Sequence, residues 1–332
     1  MFGDATTRAT GRLRADAALA CSRVMSKPQS GIVPEPGPAA LFLVLRIPER
    51  ARDARAAARA AAAVPALTAK VAALDRRAKL ASVVSLGSEL WDAVSPARRP
   101  AGLRPFTPLS AGGRSAPATG GDQLLHVVSR GPDLNFELAQ RFRSALGGAA
   151  VVDDEIHGFR YLDSRDLTGF IDGTENPKGR ERAQVALVGR EDAAFAGGSY
   201  VFTQRYVHDL ARWAKLSQKE QEAIVGRRKR DSKELSDRAK PPTAHIARTV
   251  IEEDGRELEI VRHSFPYGTT SESGLFFIAY TRDLAIPQRM LARMLGTAGD
   301  GLHDRLMEFS RAVRGAHFFA PSLRTLRLLA SA

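Results

Sequence analysis

Cysteine is almost missing from this chain: Cys21 stands alone among 332 residues. One thiol excludes an internal disulfide framework. It also excludes a zinc or iron–sulfur centre built on several thiolates. Long apolar runs are missing too. Ala39 to Leu45 is the longest clean stretch and ends at Arg46, far too short to cross a bilayer. Residues 1–24 hold Arg8, Arg12, Arg14 and Asp16 among small residues. They offer no apolar signal core and no twin arginine. Residues 1–25 are therefore expected to be a disordered extension. There is no His-x-x-x-His pair to hold zinc, and no Gly-Lys-Ser/Thr ending that would make a phosphate loop.

What the chain has in excess is positive charge. Lys plus Arg number 49 against 37 acidic residues, a formal net charge of +12. Such a balance raises the question of a nucleic-acid partner. The basic residues are spread out, however, and the densest run, Arg227 to Arg230, has no interleaved aromatics. No nucleic-acid partner is expected. With 44% hydrophobic and 26% charged residues, the composition is that of a soluble folded protein.

The pattern of elements points to an α+β fold. Ala39 to Ile47 reads as a buried strand, followed by Ala-rich helical sequence over 50–62. Pro65 is expected to break it, with a second helical piece reaching Lys79. Ala81 to Leu86 and Leu124 to Ser129 read as strands. An amphipathic helix follows from Leu134 to Leu146, closed by Gly147-Gly148. Val151 to Leu162 alternates as a strand does. Strand, helix, strand, strand, helix, strand is the ferredoxin-like order. The second half repeats the style. It has strands at Gly198 to Arg205, Ile246 to Val250, Leu258 to Val261 and Leu275 to Tyr280, a helix over Val207 to Ile224, and a helix opened by Pro287. We expect two ferredoxin-like units of antiparallel sheet with peripheral helices, over residues 26–150 and 151–332.

Among candidate functional residues, Asp172 sits in Gly169-Phe170-Ile171-Asp172-Gly173. An aspartate between glycines after an apolar pair can aim a carboxylate into a cavity, or simply bond its own backbone in a tight turn. Of seven histidines, His245 is the most suggestive. It follows the Pro241-Pro242 break and opens an apolar segment. A single imidazole on a cavity wall is what haem iron needs. Arg262 and His263, adjacent on a strand, should point to opposite faces.

Several separated blocks then resemble the dye-decolourising peroxidases, and within them the bacterial B-type group. They are Gly169 to Pro177, Gly226 to Leu235, His245 after its proline pair, Ile260 to Gly268, Gly274 to Tyr280, and Phe318 to Ser322. They occur in family order across residues 165–322. The resemblance implies a haem b, one per chain, in the C-terminal unit, with His245 as its axial ligand and Asp283 as the carboxylate partner of that histidine. It implies Asp172 as general base and then acid toward hydrogen peroxide. Arg262 would stabilise the leaving oxygen and also bind the cofactor. Leu275 and Phe277 would roof the haem. Ser264 stands where many B-type members carry asparagine, and would support a distal water. The implied activity is peroxide reduction with one-electron oxidation of dyes or phenols, via an oxoferryl intermediate. Trp91, Trp213, Tyr206 and Tyr280 are the available electron carriers toward bulky donors. The rival reading within the same resemblance is a haem-binding, iron-releasing protein with weak peroxidase activity. The implied setting is cytoplasmic, with no membrane partner and with a homo-oligomer left open. An encapsulin shell is given little weight. Leu323, Leu326, Leu328 and Leu329 have helix-like spacing, which suits a docked terminal element better than a free hydrophobic tail.

Overall fold

The computed structural model describes residues 26–331. The expected extension over residues 1–25, with Cys21, lies outside the described residues. The first unit runs β1 (Ala39–Arg46), α1 (Arg50–Ala72), β2 (Ala81–Leu86), β3 (Gln123–Ser129), α2 (Pro132–Leu146) and β4 (Val151–Phe159). The second comprises β5 (Ser199–His208), α3 (Gln218–Val225), α4 (His245–Thr249), β6 (Val261–Arg262), β7 (Phe265–Gly268), β8 (Ser273–Thr281), α5 (Ala285–Leu295) and β9 (Ser310–Ala320), with α6 (Leu323–Ser331) closing the chain.

The strands form one nine-stranded sheet in the order β6-β8-β5-β9-β2-β3-β1-β4, with β7 paired to β8 beside the main path. All pairings within it are antiparallel. Each half has the ferredoxin-like strand order, and the halves meet where Phe319 of β9 pairs with Leu86 of β2. The expected fold class therefore stands, while the expected boundary moves. β4 hydrogen-bonds along the whole of β1, so residues 151–159 belong to the first unit, not the second. The sheet partner, not the nearby Gly147-Gly148 break, decides which unit owns the strand.

Strand β1 is apolar at every position but its last, and seven of its eight residues are buried. Helix α1 lays Ala54, Ala57, Ala58, Ala61, Val64, Thr68 and Val71 into the core at helical spacing. It also runs straight through Pro65, contrary to the expected break. A proline inside a helix costs about 3 kcal/mol. The alanine run and the buried face on both sides of Pro65 outweigh that, and Thr68 Oγ1 donates to the Val64 carbonyl at 2.7 Å. Helix α6 packs on α1, burying Leu326 and Leu329 while Leu328 stays exposed. No helix among the described residues is long and apolar enough to cross a membrane.

Two local expectations in the second unit are corrected. Residues 246–249 belong to helix α4, which His245 opens, and are not strand; Val250 lies just past its end in extended backbone. Strand β5 continues to His208, so Tyr206 and His208 are strand residues and helix begins only beyond them. Each segment mixes polar and apolar residues over too few positions for periodicity to separate helix from strand.

Candidate active site

One cavity of about 610 Å³ opens in the second unit. Strand alternation builds one wall. Leu275 and Phe277 of β8 face the cavity, while Phe276 and Ile278 face the opposite core. Tyr206 and His208 of β5, Met290, Leu291 and Met294 of α5, and Met307 complete much of the lining. The rim carries Glu175, Glu234, Glu252, Glu257 and Glu259. Burial first, and the neighbouring carboxylates second, push Glu257 and Glu259 above the usual carboxylate range.

Asp172 reaches this cavity on a loop held at many points. Gly169 has φ +90°, and a Cβ there would lie 2.5 Å from Cε of Lys229, so glycine is required. Arg165 Nη1 donates to the carbonyls of Gly169 at 2.8 Å and Lys229 at 2.6 Å. Phe170 packs edge-on against Trp213, ring centres 6.3 Å apart, and Trp213 Nε1 donates to the Thr168 carbonyl at 2.9 Å. Asp172 N donates to the Ser164 carbonyl at 3.0 Å. Both sequence readings of Asp172 describe part of its geometry. Its Oδ1 accepts the Gly173 N–H at 2.7 Å, and the same atom lies 3.5 Å from Arg262 Nη1.

Arg262 and His263 do point to opposite faces. Arg262 lines the cavity. His263 is buried on the far side, where its Nε2 accepts from Arg182 Nη2 at 2.5 Å. His245 lines the cavity from the start of α4. Its Nδ1 lies 2.6 Å from Asp304 Oδ2, and Asp304 is fully buried. Nε2 has no protein partner among the described residues.

Two expected site residues lie elsewhere. Asp283 is not the partner of His245. It precedes α5 and accepts the Ala285 N–H at 2.8 Å, a helix-leading acid. Asp304 takes the place, 59 residues beyond the histidine. Its Oδ1 accepts the Leu306 N–H at 2.8 Å, so one oxygen fixes the local turn and the other meets the ring. Ser264 does not line the cavity. Its hydroxyl, in the short link between β6 and β7, accepts the Ile278 N–H at 3.3 Å instead. Of the four aromatic residues proposed as electron carriers, Trp91 and Tyr280 are completely enclosed and Trp213 nearly so. Tyr206 alone of the four lines the cavity.

Sequence reading missed a chain of polar residues in the cavity wall. Ser310 Oγ lies 2.7 Å from His208 Nδ1, and His208 Nε2 lies 3.2 Å from Asp166 Oδ1. Thr168 N and Oγ1 both donate to Asp166 Oδ2, at 2.9 and 2.5 Å. Burial works to raise the Asp166 pKa. The bond and charge of His208 and the Thr168 donors outweigh it and hold the carboxyl at about 2. A depressed carboxylate stabilises the fold above its unfolded value of 3.8 and loses that contribution as pH falls toward 2. We therefore expect Asp166→Asn to cost about 2 kcal/mol near neutrality. Its urea midpoint should also change less than wild type between pH 4 and pH 2. Chemical denaturation across that range checks this. No motif could have signalled the chain, since β5 and β9 bring His208 and Ser310 together across 102 residues.

Comparison with known proteins follows the same lines. Residues 29–160 match the family model of the Dyp-type peroxidase N-terminal domain, and residues 163–325 that of the C-terminal domain. A dye-decolorizing peroxidase of Mycobacterium tuberculosis is 43% identical over 290 residues, covering 86% of each chain. A variant of DypB from Rhodococcus jostii, solved in complex with heme, is 43% identical with a TM-score of 0.86, covering 90% of this chain and 97% of that one. The encapsulated DyP-type peroxidase of Mycobacterium smegmatis, solved by cryo-electron microscopy, is 40% identical with a TM-score of 0.87, covering 91% and 97%. A doubled ferredoxin-like fold, with one carboxylate-oriented histidine and an arginine–aspartate pair on a shared cavity, defines an enzyme of the peroxidase class. The chain belongs to the Dyp-type peroxidase family.

Proposed function

We propose that the cavity of the second unit holds haem, with His245 as axial ligand and with Asp172 and Arg262 acting on hydrogen peroxide. The observation that carries this reading is the His245–Asp304 pair in the wall of a cavity that Arg262 and Asp172 also line. The residues present suit the group. The volume of about 610 Å³ falls within the range of cofactor pockets. The lining is largely apolar, and one imidazole nitrogen is left free for iron. Haem bound there supplies the redox chemistry of peroxide reduction.

The protein's own contribution is local. Asp304 fixes the ring orientation and tautomer of His245 and makes its free nitrogen a stronger donor. Asp172 takes a proton from one peroxide oxygen and returns it to the other. Arg262 Nη1, 3.5 Å from Asp172, places a fixed cation where negative charge grows on the leaving oxygen. Leu275 and Phe277 keep bulk water from that space. Dyes or phenols are the proposed electron donors, and Tyr206, in the cavity wall, is the aromatic residue best placed to relay electrons from them. A reducing, cytoplasmic setting suits a chain with a single cysteine.

Asp304→Asn should keep the Leu306 cap through Oδ1 but lose the charge behind His245. Loss of an outer-shell partner of this kind typically weakens metal binding ~10–100-fold. Haem titration of the apoprotein, followed by absorption, checks that direction. The functional reading itself is tested by comparing peroxide-dependent oxidation of a phenol with iron release from haem under reducing conditions. Peroxide turnover without iron release is expected. Iron release without turnover would replace this reading with the haem-stripping one.

A further inference from the structure

Arg262 lies on β6, a strand of two residues at the open edge of the sheet. On its inner side it stands across from Ala279 of β8. Alternate residues of an antiparallel pair turn their N–H and C=O away from the partner strand. At a sheet edge those groups need another partner or must face water. For Arg262 the partner is a side chain. The Arg262 N–H donates to Asn176 Oδ1 at 2.8 Å, and Asn176 Nδ2 donates to the Arg262 carbonyl at 2.7 Å. The amide of Asn176 thus stands in for one residue of a further strand. It holds the peptide of Arg262 by both of its polar groups.

The loop that supplies this clamp also supplies Asp172. Asn176 N donates to the Gly173 carbonyl at 3.1 Å, so the clamp and the carboxylate share one turn. Asp172 and Arg262 themselves approach only to 3.5 Å. That is longer than a charge-assisted hydrogen bond, so direct contact between them does not set their spacing. Asn176 joins the loop of one to the strand of the other.

We propose that Asn176 is the positioning residue of the Asp172–Arg262 pair. It fixes the backbone of Arg262 relative to the Asp172 loop and so sets the distance between guanidinium and carboxylate. The proposal rests on the reading of those two residues as the groups that act on peroxide.

The test uses the full chain, with and without haem. In Asn176→Ala, amide-resolved hydrogen exchange of the haem-free protein should show the Arg262 N–H exchanging roughly tenfold faster, the scale of one lost hydrogen bond. The amides of β8 should be unchanged. In the haem-loaded variant the ferric spectrum and haem content should match wild type. The rate of reaction with peroxide should fall roughly 10–100-fold, the scale of a misplacement near 1 Å. Combined with Arg262→Leu, Asn176→Ala should add almost nothing further, because the group it positions is gone. A merely structural asparagine predicts the same fractional loss in both backgrounds. Asn176→Asp keeps the acceptor and loses the donor, so it should protect the Arg262 N–H nearly as wild type does and show an intermediate rate. This variant carries the test if the alanine protein fails to fold. An unchanged peroxide rate in Asn176→Ala, or additive losses in the double variant, would overturn the proposal. If wild type binds no haem, the functional reading fails, while exchange at Arg262 still reports on the clamp.

Discussion

Replacing His245 by alanine should leave a folded protein that no longer holds haem. His245 opens a helix of five residues and is a quarter exposed, so the substitution removes little packing. Asp304 keeps the Leu306 N–H on its other oxygen. What disappears is the one imidazole in the cavity with a nitrogen free for iron. His208, the other histidine in the lining, has both nitrogens engaged by Ser310 and Asp166. No spare imidazole is therefore at hand among the described residues. Losing an outer-shell partner typically costs ~10–100-fold in metal affinity, and losing the ligand itself should cost more than that. Haem titration followed at the Soret band measures the loss. Free imidazole added to the variant should restore part of the wild-type spectrum by entering the vacated space. Full haem loading with an unaltered spectrum would show that His245 is not the ligand.

Asp172→Asn and Arg262→Leu should each slow the reaction with peroxide in protein that still holds haem on His245. A positioned acid–base group contributes ~10²–10⁴-fold, and asparagine cannot take up the proton. Leucine at 262 keeps the backbone bonds to Asn176 but removes the cation. The two losses should be less than additive, since each residue acts within reach of the other at 3.5 Å. Stopped-flow absorption after mixing with peroxide gives the rates. Wild-type rates in both variants would place the peroxide chemistry elsewhere.

Much of this architecture can be read from the chain because its signals are local. Strand geometry puts Leu275 and Phe277 on one face, and the family resemblance turns that face toward the cavity. Adjacency alone predicts that Arg262 and His263 part to opposite faces. The Gly169 to Gly173 block leaves Asp172 between an aimed carboxylate and a self-bonded turn, and its Oδ1 takes part in both. The failures share a cause, which is distance along the chain. Asp283 has the local setting of a partner for His245, just beyond a strand. Asp304 has none, and wins because the turn over residues 304–307 returns it to α4. The boundary drawn after residue 150 cuts β4 off from the strand order it completes, and only its pairing with β1 shows where the unit ends. Pro65 looks like a helix end until the buried face around it is counted. The clamp from Asn176 to Arg262 spans 86 residues, and no periodicity in the sequence announces it.

The central claim is that this cavity binds haem on His245 and uses it to reduce peroxide. The most direct measurement is the absorption spectrum of the haem-loaded wild-type chain, taken before and immediately after one equivalent of hydrogen peroxide. The account predicts a ferric Soret band that changes at once with peroxide and returns to its starting form when a phenolic donor is added. A chain that takes up no haem, or a Soret band that peroxide leaves untouched, would contradict it.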